Sequence, residues 1–79
     1  MTFREAVLSK MPAKQRAKAE ARKGPLARLM WKAAENFARH EIERRTGQRL
    51  VGVIDWAKWI ALLIQIMPLL LKLLALFGI

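Results

Sequence analysis

The last 21 residues of the chain, WIALLIQIMPLLLKLLALFGI from Trp59 to Ile79, form an almost unbroken apolar run. Thirteen of them are Leu, Ile or Phe, and the only ionisable side chain is that of Lys72. Twenty-one helical residues extend about 31 Å, close to the roughly 30 Å thickness of bilayer hydrocarbon. The apolar residues favour insertion by at most about 4 to 8 kcal/mol, whereas Lys72 costs up to about 3.5 kcal/mol. The sequence therefore predicts an apolar C-terminal helix over residues 53–79, with a membrane span at about 57–78.

Residues 25–46, PLARLMWKAAENFARHEIERRT, follow the period of an amphipathic helix. Pro25 suits the first helical position, and Gly47 suits the position just past the end. At 100° per residue, one face collects Leu26, Leu29, Met30, Ala33, Ala34, Phe37 and Ala38, and the other Arg28, Lys32, Glu35, Arg39 and Glu43. Glu35 and Arg39 stand four residues apart, in the order that favours an ion pair. We expect this helix to lie in a membrane interface or against a partner; packing in an ordinary soluble core stays open.

The sequence of residues 1–24 predicts a basic N-terminal arm that is partly helical. Short apolar clusters around Phe3 and Val7 are followed by AKQRAKAEARK, whose apolar side chains are all alanine and so bury little. Six basic side chains of the arm are expected to contact an anionic surface: Lys10, Lys14, Arg16, Lys18, Arg22 and Lys23. A solvated arm and an arm on nucleic-acid phosphates stay open. With a turn at 47–52, the predicted fold is all-α: basic arm, amphipathic helix, and one long apolar transmembrane helix.

Charge and hydrophobicity are segregated along the chain. The net charge is +9, and residues 1–24 carry seven basic and two acidic side chains, whereas residues 50–79 carry two and one. Fourteen of the fifteen Lys and Arg residues precede Trp59, which predicts a cytoplasmic N-terminus and a C-terminus across the membrane. The side chains expected at the membrane interface are those of Trp31, Trp56, Lys58 and Trp59. The expected lipid partner is an anionic bilayer.

A thin polar stripe crosses the apolar helix. Lys58, Gln65 and Lys72 recur at intervals of seven residues, and Asp55 lies one turn before Lys58. Because unpaired polar groups are costly in a bilayer, we expect this stripe to face a protein partner or another copy of the chain. Pro68 removes the hydrogen bond to the Ile64 carbonyl and is expected to kink the helix.

Catalytic and metal-binding patterns are missing from the sequence. There is no cysteine, the single histidine is His40, and no phosphate loop, dinucleotide motif or nucleophile with a neighbouring base is visible. No cleavable export signal or lipidation motif is visible either. We therefore expect a protein without enzymatic activity, cofactor or metal.

Three functions fit these patterns. The first is a small single-span accessory or structural subunit docked on a larger membrane complex. The second is a membrane-permeabilising oligomer of the lysis or bacteriocin kind. The third is a nucleic-acid-contacting assembly or virion component with a buried apolar helix.

Overall fold

All regular elements of the chain are helices. The computed structural model describes all 79 residues and contains four α-helices and one 3₁₀ turn. The helices are α1 (Phe3–Lys10), α2 (Ala13–Ala21), α3 (Pro25–Thr46) and α4 (Ile60–Ala75), and the 3₁₀ turn is Trp56–Trp59. The predicted all-α fold with a long apolar last helix is confirmed.

Helix α1 begins at a capping box. The Thr2 hydroxyl accepts a 3.2 Å hydrogen bond from the Glu5 N–H, and the Glu5 carboxylate accepts one of 3.0 Å from the Thr2 N–H. Each side chain thus pairs with a backbone donor that has no partner within the helix. The cap fixes a helix that buries Phe3, Ala6 and Val7. The first part of the arm is therefore packed into the fold, whereas α2 buries only Ala19.

Helix α3 covers the predicted stretch, and only part of its apolar face is buried within the chain. Leu26 and Leu29 are 72% and 58% exposed, and the stripe that is buried consists of Ala27, Met30, Trp31, Ala34, Ala38 and Ile42. The packed side is therefore rotated toward Trp31 and Ile42. Burying these two large side chains removes more apolar area from water than burying the exposed leucines would, and the alanines between them leave room for neighbouring helices.

The connection between α3 and α4 is longer than predicted. Gly47 ends α3 in a left-handed conformation with φ of 73°. Non-helical backbone, with a bend at Gly52 and Val53, continues to Asp55, so the last helical segment starts at Trp56 rather than at residue 53. The Asp55 carboxylate accepts a 3.2 Å hydrogen bond from the Ala57 N–H and fixes this start. The β-branched Val53 and Ile54, which precede Asp55, favour extended backbone.

The inner face of α4 closes the core. Its buried residues, spaced three or four apart, are Leu63, Ile66, Met67, Leu70 and Leu74. They join a cluster of 17 buried residues, all hydrophobic, that also includes residues of α1, α2 and α3. The turn after α4 lies at the start of α3, because Gly78 lies against the Arg22 guanidinium. The apolar helix is therefore packed along one face against the rest of the chain.

An aromatic cluster joins the first, third and last helical segments. The Phe3 ring makes edge contacts with Trp56 and Trp31, at centroid distances of 4.9 Å and 6.3 Å. Trp56 is 1% exposed and Trp31 is 8% exposed. Such edge-to-face contacts add specific geometry to the burial of large apolar surfaces.

Candidate membrane-contacting surface

The outer face of α4 is the strongest candidate for a functional surface. We use this name for the exposed side of the last helical segment, which carries two kinds of residue. The polar ones are Lys58, Gln65 and Lys72, and the apolar ones are Ala61, Ile64, Pro68, Leu69 and Ala75. The structure thus brings three of the four predicted stripe residues onto one exposed face. No other part of the chain covers that face.

The same segment has the dimensions of a membrane span. Trp56–Ala75 is the one helix long and apolar enough to cross a membrane, and only 28% of its apolar window is buried inside the bundle. A core helix of a soluble protein is mostly buried. This helix therefore combines an inner face that packs on the bundle with a largely apolar outer face that does not.

Asp55 departs from the rest of the predicted stripe. It lies in the connection, where its carboxylate caps the 3₁₀ turn and lies 4.0 Å from the N-terminal ammonium group. Its side chain is 69% exposed. In the closed bundle it therefore acts as a cap at the start of the apolar helix.

The four predicted interface residues divide into two groups. Lys58 is exposed and its ammonium lies 5.7 Å from the centroid of the half-buried Trp59 ring, so these two side chains are available to a membrane surface. Trp31 and Trp56 lie in the aromatic cluster and are 8% and 1% exposed. Trp56 contacts headgroups only if the bundle opens, whereas an edge of Trp31 lines a pocket at the start of α3.

Pro68 lies on the outer face, within a helix that continues without interruption from Ile60 to Ala75. Its ring replaces the N–H that would bond the Ile64 carbonyl. The missing hydrogen bond is thus on the side of α4 that has no protein neighbour. The kink itself stays a prediction.

The six basic side chains assigned to the arm are spread over α1, α2 and the turn to α3. Five of them are exposed, whereas Arg16 is half-buried and donates a 3.0 Å hydrogen bond to the Met11 carbonyl. Arg16 therefore ties α2 to α1 in addition to contributing charge. The other five side chains remain free for an anionic surface.

Two carboxylates of α3 hold the connection to α4, a role that no pattern in the sequence indicates. Glu35 accepts a 3.1 Å hydrogen bond from the Trp56 indole Nε1, and Glu43 accepts one of 2.7 Å from the Leu50 N–H. The predicted Glu35–Arg39 ion pair is not formed, because Glu35 bonds Trp56 and Arg39 donates to Asn36 instead. The spacing of residues within one helix gives no information about a contact between Glu35 and Trp56, which are 21 residues apart in the chain.

Two glutamates have lowered pKa values: Glu5, which is exposed, and Glu41, which is half-buried. Hydrogen bonds from the backbone and side chain of Thr2 lower the pKa of Glu5. The Arg44 guanidinium, at 2.7 Å, lowers the pKa of Glu41, with a smaller contribution from Arg45. Both carboxylates support helix ends, at the first turn of α1 and the last turns of α3.

Ionisable side chains do not gather into a metal site. No group of three His, Asp or Glu side chains is close enough to hold a metal ion. A cleft of about 550 Å³ lies between Met1, Glu35, Arg39 and the Val53–Trp56 segment. It mixes acidic and basic groups beside the end of the connection that leads into α4.

The fold and this surface define a small all-helical protein with one helix long and apolar enough to cross a membrane. Comparison of the chain with protein-family models, curated proteins and solved structures gave no match.

Proposed function

We propose that this chain is a small membrane protein that is anchored by α4 and docks, through the outer face of that helix, on a larger membrane complex. The observation that carries the proposal is the arrangement of α4. Its inner face has large aliphatic side chains, and its outer face has a row of small residues beside a polar stripe, together with Ile64 and Leu69. In this proposal the N-terminus is cytoplasmic and the C-terminus lies across the membrane.

The outer face has the chemistry of a contact between membrane helices. Ala61, Pro68 and Ala75 recur every seven residues, and Lys58, Gln65 and Lys72 recur with the same period beside them. Small residues allow close approach of helix backbones, and polar side chains find hydrogen-bond partners across the interface. Within a bilayer, this face suits a partner helix, while the leucine-rich inner face suits lipid.

The closed bundle provides a form that is compatible with water before insertion. It buries five large aliphatic side chains of α4 that would otherwise promote aggregation. Insertion then requires α4 to leave α1 and α3, turning about the connection 47–55. Basic side chains on the remaining helices stay at the anionic surface, where each is worth roughly 1 kcal/mol.

Carbonate extraction and protease protection test the anchor. Tags are placed at both ends of the full chain, and membranes are washed at alkaline pH. We expect the protein to resist extraction and the C-terminal tag alone to be protected from protease added on the cytoplasmic side. Release by the wash would rule out a spanning α4.

Substitutions on the outer face test docking separately. The double variant Gln65→Leu/Lys72→Leu should insert normally and lose co-purification with the membrane complex, because it removes the polar contacts only. Leu62→Ile/Leu73→Ile, which changes two half-buried residues beside the inner face, is the matched control. Equal association of both variants would show that the stripe is not the docking surface.

Membrane permeabilisation is the second candidate function, because a bundle that buries the inner face of α4 in water can reach a membrane without another protein. Several copies would arrange Lys58, Gln65 and Lys72 around water. This function predicts dye leakage from anionic vesicles at low protein-to-lipid ratios. Confirmed membrane binding without leakage would eliminate it.

A further inference from the structure

A basic pocket lies at the turn between α2 and α3. It has a volume of about 460 Å³, within the range of small-molecule sites. Four of its seven lining residues are basic, and none is acidic: Arg4, Arg22, Lys23 and Arg28 surround Gly24, Ala27 and Trp31. Four cations converging without a counterion indicate a site for an anion.

The backbone at this pocket supplies further donors. Helix α3 begins at Gly24 with no side-chain cap and no acidic residue in its first turn. The N–H groups of Leu26 and Ala27 therefore have no partner within the helix, and the positive end of a 22-residue helix dipole lies at the pocket. Gly24 has φ of 91° and ψ of −168°, a conformation that glycine adopts readily. A Cβ at Gly24 would have no atom within 4 Å, so the backbone there is open to a ligand.

Trp31 gives an independent indication that a ligand binds in this pocket. Its side chain lines the pocket and is more than nine-tenths buried, yet its indole Nε1 has no hydrogen-bond partner. The Arg4 guanidinium lies 5.6 Å from the centroid of the Trp31 ring, which holds one of the four cations at the pocket. A buried donor without a partner is costly, and this cost falls on a residue that forms a wall of the pocket.

Two exposed leucines favour a lipid as the source of the anion. Leu26 and Leu29 follow Gly24 in the first turns of α3 and are 72% and 58% exposed. Large apolar side chains beside a cationic pocket match the boundary between phosphate headgroups and acyl chains. A soluble phosphate would use the pocket and leave the leucines in water.

We propose that this pocket binds a phosphate group, held by the side chains of Arg22, Lys23 and Arg28 and by the free N–H groups at the start of α3. The phosphate belongs to a membrane lipid headgroup, and Leu26 and Leu29 enter the adjoining acyl region. The lipid assignment rests on the proposed membrane function. The phosphate site itself does not.

Matched charge variants locate the site. Lys23→Gln/Arg28→Gln removes two exposed pocket cations, and Lys14→Gln/Lys18→Gln removes two exposed cations of α2 that do not line the pocket. Binding is measured by sedimentation with phosphatidylcholine vesicles containing phosphatidic acid, after circular dichroism has shown that both variants are helical. We expect about a thirtyfold loss for the control pair, as for two charges near an anionic surface, and a loss at least about tenfold larger for the pocket pair, because it also loses charge-assisted hydrogen bonds to the phosphate. Equal losses would overturn the proposal, because they would show diffuse charge attraction only.

Free pyrophosphate distinguishes the source of the phosphate. In the wild type it should shift the NMR resonance of the Trp31 indole N–H, and in the pocket variant this shift should be lost. Leu26→Ser/Leu29→Ser should keep the pyrophosphate response and lose vesicle binding. If that variant kept full vesicle binding, the lipid assignment would be overturned. A pyrophosphate response that survives in the pocket variant would overturn the site itself.

Two further results separate this inference from the proposed function. Loss of α4 insertion with pocket-dependent vesicle binding intact would count against the membrane anchor and support the pocket. Tight binding of oligothymidylate through Lys23 and Arg28, without vesicle binding, would overturn the lipid assignment and favour a nucleic-acid ligand.

Discussion

The indole Nε1 of Trp56 donates a 3.1 Å hydrogen bond to the Glu35 carboxylate, joining the start of the apolar helix to the middle of α3. Trp56 is almost completely buried, and its ring also packs on Phe3 at the first turn of the chain. Residues 3, 35 and 56 therefore meet at one point. Contacts at this point oppose release of α4 from the bundle.

Removing the acceptor at Glu35 should weaken the fold. Glu35→Ala leaves the buried indole N–H without a partner, so we expect the free energy of unfolding to fall by about 1–3 kcal/mol. Glu35→Gln keeps an acceptor at the same reach and should lose less. Urea unfolding followed by Trp fluorescence measures both variants. Equal losses would show that the hydrogen bond is not the stabilising contact.

Truncation on the two faces of α4 should destabilise the fold by unequal amounts. Leu70→Ala leaves a cavity in the core, because Leu70 is fully buried, and should cost about 2–5 kcal/mol. Leu69→Ala, one residue earlier and 38% exposed, should cost much less. Thermal unfolding monitored by circular dichroism compares the pair. A similar loss in both would mean that α4 does not pack on the bundle by this face.

Gly24 should resist replacement. Its backbone, with φ of 91° and ψ of −168°, lies in a region that is essentially restricted to glycine, so Gly24→Ala should cost about 1–3 kcal/mol. Gly47→Asn is the matched substitution, because Gly47 has a left-handed conformation that asparagine tolerates. Urea midpoints at neutral pH compare the two. Stability of Gly24→Ala equal to the wild type would contradict this backbone geometry.

Acidification should weaken the fold through Glu41. Arg44 lowers the pKa of Glu41 in the folded state, so the ionised carboxylate favours folding. This stabilisation is complete above the unfolded-state pKa and is lost as pH falls through the lower folded-state pKa. The loss is measured by comparing the free energy of unfolding at about pH 6 with that at about pH 3. Glu41→Gln should show a smaller decrease, and an unchanged pH dependence would exclude Glu41 as a source.

The boundaries of α3 were predictable because they depend on neighbouring residues. Pro25 fixes the backbone of the first turn, and Gly47 adopts the left-handed conformation just past the end. The start of α4 was less predictable. Asp55 and the non-helical residues before it move the start three residues beyond the predicted position.

The positions of Trp31 and Trp56 were not predictable from local pattern. A tryptophan beside basic residues is typical of a membrane interface, but Phe3, which is distant in sequence, packs on both rings, and Glu35 binds the indole of the distant Trp56. Leu26 and Leu29 illustrate the same limit. A projection at 100° per residue gives a broad apolar arc, and tertiary packing decides which edge of it is covered.

The alanines that α3 contributes to the core have a mechanical consequence. Ala27, Ala34 and Ala38 are buried where larger residues would lock neighbouring helices together. Each alanine exposes little apolar area when the helices separate. Most of the free energy needed to open the bundle therefore comes from exposing a few large side chains. The contact between α3 and α4 therefore depends mainly on Trp56 and on the large buried side chains of α4, and little on the alanines of α3.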